Sequence, residues 1–312
     1  MFDIPSASGA TSRRAGGVGM MVGSLLRASL LVALAGALHG CATGAPPKQR
    51  IADSYTRPSP VPAVAPLFAP RTYEARRFVV APAIDGQLDS AWADHPWSDP
   101  FLDIEGPARA EPSQRTRVKM GWDDRALYIL AELEETDLWA TLTEHDAIVF
   151  HDNDFEVFVD PDADTREYYE IEVNAIGTVF DLFLPRPYRA EGKADHSWTA
   201  EGMELAISLD GTLNDPRDRD RAWRVEMELP WTLFAPPKGH EPVLQSASRP
   251  PRVGDAWRIN FSRVQWALER TASGYAKVPG RPEDNWTWTP QWTIDMHLPQ
   301  WWGVVKFVER AP

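Results

Sequence analysis

The densest polar chemistry in the chain is the run His145-Asp146-Ala147-Ile148-Val149-Phe150-His151-Asp152-Asn153-Asp154. After Phe155–Val159 comes a second, Asp160-Pro161-Asp162-Ala163-Asp164. Carboxylates at Asp160, Asp162 and Asp164 on one turn are hard oxygen donors, and calcium is the ion they suit. Thr165 at the sixth position of that loop and Ile171 at the twelfth exclude a helix–loop–helix site, which needs Gly and Glu there. A turn of solvated acids is the competing reading. His145 and His151, six apart, match no metal spacing and read as surface or hydrogen-bonded histidines. The other concentration of chemistry is aromatic: Trp286, Trp288, Trp292, Trp301 and Trp302, interrupted by Pro290 and Pro299. Indole faces stack on the C–H faces of sugar rings and indole N–H groups donate to hydroxyls, so exposed rings here would suit a saccharide. Core filling is the alternative use of tryptophan, and Trp92, Trp122, Trp223, Trp231 and Trp257, in or beside alternating strands, are assigned to the core.

Absent motifs narrow the function. The sequence holds no G-x-S-x-G, no H-E-x-x-H and no phosphate-cradling glycine loop. Its one cysteine, Cys41, excludes a disulfide framework and a cysteine-based zinc site. With 45 Asp and Glu against 32 Lys and Arg, a net charge of −13 lacks the basic footprint that nucleic-acid binding needs. A glycosidase needs only two facing carboxylates, which local spacing neither identifies nor excludes.

These residues must be carried by strands. Trp223, Val225, Met227 and Leu229 alternate with Arg224, Glu226 and Glu228. Trp257, Ile259 and Phe261 alternate with polar residues, and Tyr169, Ile171 and Val173 alternate with Glu170, Glu172 and Asn174. Period two places one face in a core and the other in solvent. Similar runs lie at 116–122, 126–133, 154–160, 178–184, 203–209 and 302–308, separated by turn residues. The pattern predicts one all-β domain, an antiparallel β-sandwich over residues 79–312, with mobile surface loops at 214–222 and 235–254.

Four motifs in order carry a resemblance. Ile84-Asp85-Gly86-Gln87-Leu88-Asp89-Ser90-Ala91-Trp92 is similar to an I-D-G-x-(L/I)-D-x-x-W opening, and Val118 to Tyr128 contains a V-x-x-x-W-D-x-x-x-L-Y hairpin. Asp154 to Asp160 lies in a D-x-x-E-(V/I)-F-(V/I)-D strand beginning at Asn153, and Met296 to Phe307 is similar to an M-H-x-P-x-x-(F/W)-G-x-(V/L)-x-F ending. Together they resemble family 9 carbohydrate-binding modules, of the DOMON-like group. The resemblance implies an immunoglobulin-like β-sandwich without catalytic machinery that binds sugar, in some members with structural calcium. In sugar-binding members two tryptophans clamp a terminal sugar; by motif those positions correspond to Phe150 and Met296. Phe150 retains a stacking face, Trp288, Trp292 or Trp301 would supply a second platform, and Asp152, Asn153 and His297 would hydrogen-bond the sugar. Two other readings stay open: glycoside hydrolase activity as an enzyme or subunit, and a haem-binding redox domain using Met296 or His297 with another histidine.

Residues 28–38 form an apolar run of signal-peptide length, preceded by Arg13, Arg14 and Arg27 and followed by Leu38-His39-Gly40-Cys41. A small residue before a lone cysteine resembles a bacterial lipoprotein processing site, so residues 1–40 are expected to be a signal peptide and Cys41 the lipidated residue. Pro46, Pro47, Pro58, Pro60, Pro62, Pro66 and Pro70 mark residues 41–78 as an extended tether. The expected location is the bacterial cell envelope, lipid-anchored, more on the outer membrane than the inner, facing the periplasm or the surface. Replacing Cys41 by Ser is expected to move the protein from the membrane fraction to the soluble fraction; persistent membrane association contradicts a lipid anchor.

Overall fold

The computed structural model describes residues 69–238, 240 and 249–310. The signal peptide, Cys41 and all but the last residues of the expected tether lie outside the described residues. The strands are β1 (Thr72–Arg77), β2 (Leu102–Asp103), β3 (Thr116–Trp122), β4 (Ala126–Glu134), β5 (Asp154–Asp160), β6 (Tyr168–Asn174) and β7 (Val179–Leu184). They continue with β8 (Glu204–Asp210), β9 (Ala222–Pro230), β10 (Ala256–Gln265), β11 (Leu268–Thr271), β12 (Gly274–Lys277), β13 (Asp284–Thr287) and β14 (Gly303–Val308). Short 3-10 turns join them. Each alternating run named above falls on a strand, because period two with β-branched and aromatic residues suits only a half-buried pleat.

Hydrogen bonding runs β7-β6-β5-β10-β14-β1-β3-β4-β9-β8, with β13 paired to β10 and β2. The ladders are antiparallel except at β1, which pairs in parallel with both β14 and β3. The sandwich is therefore mixed rather than purely antiparallel. Its two halves share one core, in which Phe155, Val157, Tyr169, Ile171 and Phe261 of one meet Met120, Ile129, Val225 and Met227 of the other. Trp92, Trp122, Trp223, Trp231 and Trp257 are buried, as their positions implied.

The tether reading runs too far. Thr72–Arg77 alternates in the sheet, with Tyr73 and Ala75 buried, so the folded domain begins before residue 79. Charged neighbours and the preceding prolines masked a strand only six residues long. Residues 214–221 are also better fastened than a mobile loop: Asp220 is buried and accepts hydrogen bonds from Leu138 N and Thr212 N, both at 2.7 Å.

A second departure concerns the outer faces. Phe78 and Trp92 cover Tyr128 and Leu130 on β4, while Ile104, Met296 and Trp302 cover Phe158, Tyr168, Phe180 and Leu182 on β5 to β7. Faces that period two assigns to solvent are thus roofed by connecting segments. The opening motif serves the first roof. Buried Glu226 accepts from Asp85 N at 3.0 Å and Gly86 N at 2.9 Å through one oxygen, and from Trp92 Nε1 at 2.8 Å through the other. Gly86 has φ +76° and its Cα faces the Ser208 backbone, so both its conformation and its close approach require glycine. Asp89 then caps the 3-10 turn carrying Trp92 by accepting from Ala91 N at 2.7 Å. Glu226→Ala would leave two buried donors, Gly86 N and Trp92 Nε1, and the part-buried Asp85 N without this acceptor, and is expected to lower unfolding free energy by about 3 kcal/mol in urea titration. A change below about 0.5 kcal/mol would show that this carboxylate does not hold the roof.

Candidate functional site

A cleft of about 180 Å³ opens on the outer face of β5, β6, β7 and β10. Alternation on β5 turns Glu156 and Phe158 into it, and on β6 the same period turns Glu170 and Glu172. Phe180 and Leu182 come from β7 and Val264 from β10, while the walls are loop residues Ile104, Phe150, Tyr188, Ile294, Asp295, Met296 and His297. Phe150 reaches it from the 3-10 turn Val149–His151, and Met296 and His297 come from the segment leading into β14. Residues 150 and 296, far apart in sequence, meet here because β10 pairs with both β5 and β14.

The floor is acidic and buried. Burial pushes the Glu156 carboxyl up to about 7. Glu170 and Glu172 are raised well above the usual carboxylate range, first by burial and then by neighbouring carboxylates. His297 is lowered to about 4 by burial and is neutral at physiological pH. Its Nδ1 lies 3.1 Å from the Tyr168 hydroxyl, and its ring meets the Tyr188 ring edge-on at 4.6 Å. Asp295 fixes this wall, accepting from His297 N at 2.9 Å and pairing with Arg189 Nε at 2.5 Å. Such a site offers two half-buried aromatic rings, Phe150 and Tyr188, a thioether, apolar walls and convergent carboxyl groups.

The structure brings Phe150, Met296 and His297 together and separates the other expected residues from them. Asp152, 1% exposed, faces inward and accepts from Thr141 N, Thr141 Oγ1, Leu142 N and Asn174 Nδ2 at 2.7–3.0 Å. Asn153, 3% exposed, donates to Glu135 and accepts from Trp266 N at 2.8 Å. Both pin loops and are not offered to a ligand. Trp288, 1% exposed, packs against Tyr73 and Phe261 and over Gly303, where a Cβ would overlap its ring. Trp286 and Trp302 are buried as well. Trp292 and Trp301 are half-buried and meet edge-on at 6.5 Å, outside the cleft. The Trp cluster is thus mainly core and supplies no platform in the cleft. Proline breaks suggested exposure, but here they bend the chain back onto the sheet.

The haem reading needs a second axial ligand, and no histidine other than His297 lines the cleft among the described residues. Glu156, Glu170, Glu172 and Tyr188 were not foreseen as site residues. The alternation that exposed the glutamates' face was legible, whereas the roof that turns that face into a cleft was not.

Three acids converge at the turn after β5. Carboxylate oxygens of Asp160, Asp162 and Asp164 lie within 4.8 Å of one another. Asp160 Oδ2 accepts from Thr165 N at 2.9 Å, while buried Asp160 Oδ1 has no hydrogen-bond partner. Positive φ at Ala163 and Thr165 curls the turn around these oxygens. An all-oxygen set with an orphaned buried acceptor fits a hard cation such as calcium.

Residues 84–240 match the family model described as carbohydrate family 9 binding domain-like. Over 158 residues the chain is 27% identical to endo-1,4-beta-xylanase A of Thermoanaerobacterium saccharolyticum, covering 51% of this chain and 12% of that enzyme. Over 157 residues it is 26% identical to exoglucanase XynX of Acetivibrio thermocellus, covering 48% of this chain and 12% of the other. The match thus spans only a small part of these curated relatives. Among solved structures, a candidate carbohydrate-binding protein from Bacteroides uniformis superposes with TM-score 0.54 at 14% identity, over 77% of this chain and all of that one. A family 9 module from Caldicellulosiruptor kristjanssonii, solved with glucose, gives TM-score 0.48 at 17% identity, over 77% and 97% of the two chains. The Bacteroides match supports the β-sandwich fold. With the family model matching half of its residues, the chain belongs to the carbohydrate family 9 binding domain-like family.

Proposed function

We propose that this chain is a non-catalytic saccharide-binding protein of the bacterial envelope, and that the cleft over β5 and β6 takes the sugar. The observation that carries this reading is the meeting of Phe150 and Met296 in one cleft. Motif comparison alone aligned those two positions with the sugar clamp. Phe150 would stack on the C–H face of a sugar ring, Met296 and Ile294 would pack its edge, and Glu156, Glu170, Glu172 and Asn285 would meet its hydroxyls. A volume of about 180 Å³ is below the roughly 300–1,000 Å³ usual for larger ligands and suits a single terminal ring. Membership in a binding-domain family supports the non-catalytic part of this reading. Calcium at Asp160, Asp162 and Asp164 would neutralise the turn and tie β5 to β6. On a lipid anchor at Cys41 and a proline-rich tether, such a module would hold glycan near the envelope and support its breakdown by partner enzymes.

Titration calorimetry with glucose, cellotriose and xylotriose, in calcium-containing buffer, tests the reading. At least one sugar is expected to bind at millimolar concentration or better, and Phe150→Ala is expected to weaken it about tenfold, the worth of one aromatic contact. Absence of binding by all three, or binding unchanged in Phe150→Ala, contradicts the assignment.

A further inference from the structure

The cleft floor contains a carboxylate cluster separate from the acidic turn, and two of its members, Glu156 and Glu172, are among the groups assigned above to the sugar. Asp154 and Glu156 stand two apart on β5, on the same face, and Glu172 sits directly opposite Glu156 in the β5–β6 ladder. Their carboxylate oxygens lie within 4.8 Å of one another, and all three side chains are buried. Like charges facing each other across a ladder repel, and burial removes the water that would screen them.

Among the described residues no basic side chain forms an ion pair with them. The charged groups acting most strongly on Asp154 and Glu172 are other carboxylates: Asp152, Glu156 and Glu170 around the first, and Glu156, Glu170 and Asp154 around the second. Arg263 on neighbouring β10 is near enough for its charge to act on Asp154, but its hydrogen bonds go to Glu135 at 3.0 Å and to Gln265 and Thr116. A separate observation points to a missing partner. Asp154, 0% exposed, accepts from Val264 N at 3.0 Å through Oδ1, but its Oδ2 is buried with no hydrogen-bond partner, as is Glu172 Oε2. Buried acceptors in a folded protein are paired with a donor or an ion.

We propose that Asp154, Glu156 and Glu172 hold a divalent cation, calcium, in the floor of the cleft. The donor set is entirely carboxylate oxygen, without the histidine or cysteine that zinc prefers. Calcium–oxygen contacts of about 2.3–2.6 Å span oxygens separated in this way. Calcium takes about six to eight ligands, so three carboxylates leave positions open. Glu156 and Glu172 line the cleft, and those positions face into it. The saccharide reading adds one consequence that rests upon it: vicinal sugar hydroxyls would complete the coordination, making sugar affinity calcium-dependent.

Calcium binding in the absence of sugar tests the cation site independently of the saccharide reading. The acidic turn is silenced by Asp162→Asn with Asp164→Asn in the full chain, and thermal unfolding is followed in EDTA and in calcium. At a hundredfold excess over Kd, calcium is expected to raise Tm by about 5–10 °C in this background. Adding Glu156→Gln and Glu172→Gln is expected to abolish that rise while leaving Tm in EDTA equal or higher, since the amides relieve repulsion without changing shape. Should the turn variant fail to fold, calorimetric stoichiometry reads the same site: the two Gln substitutions in the otherwise wild-type chain should remove one calcium per chain. No calcium shift in the turn background, a shift that survives both Gln substitutions, or an unchanged stoichiometry overturns the proposal.

Discussion

The architecture depends on one short strand. β1 makes parallel ladders to β14 on one side and β3 on the other, so six residues join two antiparallel half-sheets into a continuous path. Its register sets Thr72 beside Val304 and Arg76 beside both Val308 and Gly121. Gly121 has no side chain because Phe78 and His95 occupy that space, so the chain leaving β1 packs closely on β3. Residues beyond β1 then roof β3 and β4, and residues preceding β14 roof β5 to β7. The cleft wall at Ile294–His297 is part of that second roof, so the position of Met296 follows from where β14 sits between β1 and β10.

Much of this was legible because alternation has a single physical meaning. Tyr169, Ile171 and Val173 face the core, and Glu170 and Glu172 face away, as the pattern requires. What period two cannot report is what lies over the second face. A glutamate on a solvated sheet and one beneath a loop have the same sequence signature, and only the packing of Ile104 and Met296 above β5 and β6 separates them. Composition misled at the Trp cluster for a related reason. Trp288 and Trp302 lie near prolines, yet Trp288 fills the space above Gly303, and Trp302 meets Phe158 at a tilt and Tyr168 edge-on while donating to Met296 O at 2.8 Å. Asp152 and Asn153 carry the right groups for a ligand, but nearby loop amides claim them first.

The carboxyl groups of the floor work against folding. Burial without a counter-charge disfavours their ionised forms, and a sequence shaped for stability alone would place apolar residues there, as it does at Phe158 and Leu182 on the same face. Local conflicts of this kind concentrate where a protein meets a ligand. The neighbouring aromatic and thioether groups give the same spot an apolar surface, and a polar floor beside an aromatic wall is the combination that sugar sites use.

The central claim is that saccharide enters this cleft and no other surface. Methyl-resolved NMR of the full chain, titrated with cellotriose in calcium-containing buffer, tests it most directly. The account expects the methyl signals of Ile104, Leu182, Ile294 and Met296 to shift together with added sugar, while those of core Met120 and Met227 stay in place. Shifts confined to another surface, such as the groove lined by Leu233 and Ala235, or no shift among the four cleft methyl groups, would contradict it.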